Sequence, residues 1–331
     1  MRFVYLTLLL PGLLAAQQVP RVGIVDFYGG GKTNRAHVRQ VLNVKEGDPL
    51  PKSKGDVEER LESISGVVRA QLTAVCCEAG KAILYVGLEE KGAPHFDYRE
   101  PPTGTAVLPE KVARAYTDFI GAVSHSGSKA DLSEDLTKGH SLMADAGVRS
   151  IQEMFLPLAE QYTPELRAVL REGSDDEQRA MAAYVIGYSP NKAQIVDDLI
   201  YALHDPDDTV RGNALRSLAA LAVLSRVDPT SGVKVPPTWI VEMLNSIVWT
   251  DRHNAAVTLV TLTDGRDAET LDLIRERAIG SLVDMAAWKH LPHALPAFLL
   301  LGRVAGIKEA ELEKIWAAGR RQTVIDQFRK K

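Results

Sequence analysis

The 331-residue chain has 45% hydrophobic residues, 25% charged residues and a formal net charge of -4, an ordinary globular composition whose length suits two domains, one of roughly 70 residues and one of roughly 200. It carries no basic excess to neutralise a phosphate backbone, so nucleic acid is not an expected partner. Its two cysteines are too few for the disulfide framework of a small secreted domain.

Residues 1–16 have the layout of a secretory signal peptide: Arg2, an apolar run over residues 3–14, then the small residues Ala15 and Ala16 before Gln17. The run is shorter than the roughly 20 residues of a spanning helix and is broken by Pro11 and Gly12, so cleavage is expected over anchoring. No later segment approaches spanning length without a charge, Pro or Gly. The expectation is an exported chain, periplasmic or else secreted, with peripheral envelope association at most.

Residues 22–27 alternate as a strand that stops at Gly29-Gly30-Gly31. Thr33 or Asn34 can cap a following helix that ends at Gly47-Asp48-Pro49, and Val57, Leu61 and Ile64 give a second helix ended by Gly66. Residues 67–75 and 82–88 read as two strands, completing the order β-α-α-β-β. The opening strand's Gly29 or Gly30, the helix end at residues 44–50, the helix-to-strand step at residues 61–67 and the close at residues 85–91 resemble the polypeptide-transport-associated (POTRA) domain over about residues 20–91. That resemblance implies capture of polypeptide by strand addition at the sheet edge. Such domains usually precede a β-barrel or follow a membrane helix, and neither is legible here.

Gly31-Lys32-Thr33 looks like the end of a phosphate loop, but the motif's first glycine would fall near Asp26 or Phe27, so a turn into a capped helix is expected. Adjacent Cys76 and Cys77 admit three readings, in order of preference: one thiol in the core and one at the surface of a strand, a vicinal disulfide, or a metal or catalytic role lacking any accompanying His cluster or second Cys pair.

Residues 92–109 carry Pro94, Pro101, Pro102 and Pro109 without sustained period and read as a linker. Helical spacing returns over 110–162, with Val112, Ala115, Tyr116 and Phe119 on one face. Then a motif recurs. Residues 174–183 align with 206–215, placing Arg179 over Arg211 at an offset of 32 residues, and Arg211-Gly212-Asn213-Ala214 matches Arg252-His253-Asn254-Ala255 at an offset of 41. These segments are similar to HEAT repeats over about residues 163–303, best between 175 and 224. The resemblance implies an all-α solenoid over 163–331 with a protein-binding surface, each unit burying its face against the next. Asp176 and Asp208 belong to the Asp-rich turn before each helix, Arg179, Arg211 and Arg252 open the helices, and Ala214 and Ala255 permit close helix packing.

The fold class expected is thus a POTRA-like α+β module followed by an all-α HEAT-like solenoid. His290 and His293 form the nearest histidine pair, but Pro292 separates them and no His-Glu-x-x-His motif occurs; His125 and His140 read as surface residues. With no cofactor motif and no nucleophile in a plausible setting, a non-catalytic envelope scaffold binding protein is expected. The alternative is an enzyme, or an enzyme subunit, whose groups come from residues 116–162.

Overall fold

The computed structural model describes residues 20–126, 131 and 133–329, so the signal segment read at residues 1–16 lies outside the described residues. Strand β1 (Val22–Gly29), helices α1 (Arg35–Leu42) and α2 (Lys54–Glu62) and strands β2 (Val67–Glu78) and β3 (Lys81–Glu90) follow in the expected order. The Asn34 side chain accepts from the Ala36 and His37 N–H groups, and Ser53 from that of Asp56, which fixes where each helix begins. β3 lies in the middle of the sheet, parallel to β1 and antiparallel to β2.

Alternation along β3 divides its side chains between two cores. Leu84, Val86 and Leu88 pack with Val38, Leu42, Val57 and Leu61 of the two helices. Ile83 and Tyr85, with Tyr28 of β1, join the core of the helical region. A sheet covered on both faces is what the unbroken apolar run at residues 82–86 encodes, since a half-exposed strand would alternate with polar residues.

Helix α3 (Glu110–Ser126) and a short hairpin, β4 (Glu134–Asp135) with β5 (Leu142–Met143), precede the long helix α4 (Ala146–Glu172). α4 breaks its helical geometry at Tyr162 (φ -116, ψ 20), just ahead of Pro164, whose ring and missing N–H disfavour a continuous helix. Then come α5 (Asp176–Val185), α6 (Val196–Ala202), α7 (Asp208–Val227), α8 (Thr238–Glu242), α9 (Trp249–Leu262), α10 (Ala268–Arg277), α11 (Ile279–Ala286), α12 (Leu291–Val304), α13 (Glu309–Ala317) and α14 (Gln322–Arg329). α5, α7, α9 and α12 pack side by side in one layer, while α6, α8 and α10 lie behind it. A small mixed sheet followed by a long helical region is therefore the architecture.

Residues 92–109, expected as a linker, are instead a strap bound along the ends of these helices. Phe96 and Leu108 are buried. The Tyr98 hydroxyl lies 2.7 Å from Ser246 Oγ and donates to Asp251 Oδ2 at 3.0 Å; Arg99 Nη2 donates to Asp205 Oδ2 at 2.5 Å; the Leu108 N–H donates to Gln178 Oε1 at 2.8 Å. Proline content marked the segment as extended, but it is the buried carboxylates of distant helices that hold it down.

Candidate binding site on the helix layer

The helix layer is built on a repeated arginine. Arg179 Nε and Nη2 donate to Asp205 at 2.9 and 3.0 Å, while Nη1 reaches back to the carbonyls of Gly173 and Ser174. One repeat on, Arg211 Nε donates to both Asp251 oxygens at 3.0 Å, and its Nη1 reaches back to the carbonyls of Asp205 and Pro206. Arg252 again reaches back, to the carbonyls of Ser246 and Asn245. Burial pushes the Asp251 carboxyl up, opposed by the Arg211 guanidinium and by the hydroxyls of Ser246 and Tyr98. Ala214 and Ala255 are fully buried between neighbouring helices. The helix caps are Asp175 and Asp207, whose side chains accept from the Gln178 N–H and from the Thr209 and Val210 N–H groups. Asp176 and Asp208 sit one residue further on, exposed in the first turn, where a negative charge still complements the helix dipole. Sequence reasoning missed Asp205 and Asp251; the signal was available, because an arginine repeated at a core position requires a carboxylate.

On the outer side of the same layer, a groove of about 480 Å³ runs between α7 and α9 and meets a smaller one of about 210 Å³ between α5 and α7, with Thr209 lining both. Asp176 and Asp208 line these grooves. The floor is of small residues, Ala180, Gly212 and Ala219, and the repeat-equivalent amides Asn213 and Asn254 face into it. Asn213 Nδ2 donates to the Ala180 carbonyl at 2.9 Å. Arg216 pairs with Glu134 of the hairpin at the groove's side.

Beyond the hairpin lies the largest cleft, about 920 Å³, with Lys138, His140, Tyr188 and Lys192 among apolar walls from Leu156, Pro157, Leu224 and Val233. His140, expected at the surface, is 8% exposed and neither ring nitrogen has a partner. Burial pushes its pKa down to about 4 and that of Lys192 down to about 8. Gln152 ties the hairpin to the helices, accepting from the Met143 N–H at 2.6 Å and donating to the Tyr184 and Tyr188 hydroxyls at 3.1 and 3.2 Å.

At the junction of sheet and helices, Tyr85 stacks on Trp249 at 4.9 Å and its hydroxyl lies 2.6 Å from His293 Nδ1. Pro292 sits in the first turn of α12, where its missing N–H is tolerated. His290 and His293 are therefore close, with ring centroids 4.0 Å apart, and His253 joins them at 5.1 Å from His293. Burial pushes His253 and His293 down to about 4. Among the described residues no group of three or more His, Cys, Asp or Glu is placed to hold a metal ion.

The glycine turn is occupied by the protein's own carboxylates. The Lys32 N–H donates to Glu90 at 3.0 and 3.1 Å, the Thr33 hydroxyl to Glu90 at 2.5 Å, and the Gly29 N–H to Asp284 at 2.8 Å. The outer edge of β2 is also partly taken, because Glu62 and Glu58 of α2 accept from the Ala70 and Leu72 N–H groups at 2.9 and 2.6 Å. Strand addition there would have to displace them. Cys76 and Cys77 are both exposed at the end of β2, where the ladder register shifts, and their sulfurs are joined. Neither thiol lies in the core, because the sheet face beneath has ended by Val75.

A family model described as HEAT repeats matches residues 163–230, the stretch from the end of α4 through α7. No curated protein matches the chain. The helical region is thus a helical-repeat structure with HEAT-like units at its N-terminal end, a class whose members are generally protein-interaction scaffolds.

Proposed function

We propose that the chain is an exported, non-catalytic scaffold of the bacterial cell envelope, periplasmic in residence, that binds a protein segment in the groove along α5, α7 and α9. The observation that carries this reading is the groove floor. Two repeat-equivalent amides, Asn213 and Asn254, stand among small side chains, offering hydrogen bonds to a peptide backbone at intervals set by the solenoid-like repeat. Residues 20–91 belong to the same proposal as a POTRA-like module, supported by their β-α-α-β-β order and central β3. With the β2 edge half covered by Glu58 and Glu62, the groove rather than the edge is the assigned contact. The test is affinity capture from envelope extract with the chain from Gln17 onward, beside Gly212→Arg, which fills the groove from α7. A partner retained by the first and lost by the second is expected; equal recovery by both would remove the groove from the account. Export itself is tested by N-terminal sequencing of the envelope form, which should begin at or next to Gln17.

The cleft at Lys138, His140 and Lys192 favours the second reading, an enzyme drawing on residues 116–162, since a low-pKa amine beside a neutral imidazole is a common acid–base arrangement. Competitive acetylation against pH should place the Lys192 amine near 8; titration in the ordinary lysine range would leave that reading without its observation.

A further inference from the structure

A cavity of about 430 Å³ lies between the Gly29–Lys32 turn of the sheet module and helices α10 and α11. Arg252 lines it, 4% exposed. Its repeat equivalents Arg179 and Arg211 each bind a carboxylate, Asp205 and Asp251. Arg252 instead bonds two carbonyls, lies 4.7 Å from the Tyr28 ring, and leaves Nη1 buried without a partner. Burial pushes its pKa down, with Tyr28 and Asp284 opposing. A buried guanidinium short of a counter-ion favours any anion that can reach it.

The acids lining the cavity do not serve it. Glu90 is held by Lys32 and Thr33, Asp284 by the Gly29 N–H, and Glu89 is the remaining acid of the lining; Arg277 is paired with Glu242. The glycine turn has shown what it accepts, since two of its N–H groups already bind carboxylates. Leu88, Pro94, Ile247 and Val283 supply apolar wall, and the volume falls within the range of small-ligand sites.

We propose that this cavity is a carboxylate-binding site that receives the C-terminal carboxylate of a peptide ending in an apolar residue, with Arg252 Nη1 and the glycine turn around the carboxylate and the apolar wall around the last side chain. Capture of a chain terminus by a backbone turn is an established mode of peptide recognition. The site is separate from the groove on α5, α7 and α9 and stands without it.

The test is calorimetric titration of the full exported chain with acetyl-Ala-Val-Leu carrying a free carboxylate, with the same peptide amidated at its C-terminus, and with inorganic phosphate. Binding of the free acid is expected, with the amide at least about tenfold weaker and phosphate unable to displace the acid at equal concentration. Gly280→Leu should abolish binding at an unchanged unfolding temperature, because a side chain there meets no atom within 4 Å and points into open space beside the cavity. Gly212→Arg should leave binding unchanged. Equal affinity for acid and amide, displacement by phosphate, no binding of the acid, or full binding by Gly280→Leu would each overturn the proposal.

Discussion

Replacing Asp251 by Ala removes the carboxylate on which two parts of the molecule converge. Asp251 accepts from Arg211 Nε at 3.0 Å, from Ser246 Oγ at 2.7 Å and from the Tyr98 hydroxyl of the strap at 3.0 Å. Arg211 and Asp251 are each 1% exposed, so solvent cannot take over the pairing. Truncating one partner of such a pair costs about 3–5 kcal/mol, mainly because the other charge stays buried and uncompensated. For a region of this size each kcal/mol lowers the midpoint by roughly 2–4 °C, so a fall of about 6–20 °C is expected in thermal unfolding followed by far-ultraviolet circular dichroism. The double variant Arg211→Met with Asp251→Ala removes the orphaned charge along with its partner. It should recover a large part of the loss, although the carbonyls of Asp205 and Pro206 then forfeit a donor. A loss below about 1 kcal/mol for the single variant, in the range of an exposed pair, would refute the reasoning. So would a double variant less stable than the single one.

Ala214→Glu puts an unpaired charge into a fully buried helix contact and should unfold the helical region or lower its midpoint beyond the Asp251 variant; an unchanged melting curve would overturn the packing described for α7. Tyr98→Phe deletes the strap's bonds to Ser246 and Asp251 and should cost about 1–2 kcal/mol, with faster amide exchange across the strap around Arg99 and no change in the β3 amides. Acid should destabilise the protein through its buried histidines. His140, His253 and His293 have folded-state pKa values lowered to about 4 from 6.5, so the unfolded chain binds more protons between those limits. Stability is complete above about pH 6.5 and is lost as pH falls toward 4, and denaturant midpoints measured at pH 7, 5.5 and 4.5 should decline in that order. For His253 alone the full displacement is worth on the order of 3 kcal/mol, and His253→Phe should flatten the profile.

Local order was written plainly in the sequence. Caps, glycine stops and apolar spacing placed β1, α1, α2, β2 and β3 within a few residues, because each depends on contacts between near neighbours. The recurrence at Arg179, Arg211 and Arg252 exposed the repeat for the same reason: each unit rebuilds one local geometry, down to the backward reach of Nη1 onto the carbonyls five and six residues earlier for Arg179 and Arg211. Shifts of a single residue escaped, as with Asp176 and Asp208, since adjacent aspartates at a helix start satisfy the same composition rule and only backbone geometry selects the cap.

What the sequence by itself determined, then, is the succession of strands and helices, the alternation that makes β3 a two-faced strand, and the arginine that opens each repeat. Tertiary structure alone decided where those pieces meet. Tyr85 against Trp249, the strap across Asp205 and Asp251, the burial of His140 and the gathering of His253, His290 and His293 join residues far apart in the chain. No local periodicity records such pairings, because their energies come from burial and charge compensation between surfaces that exist only once each element has folded.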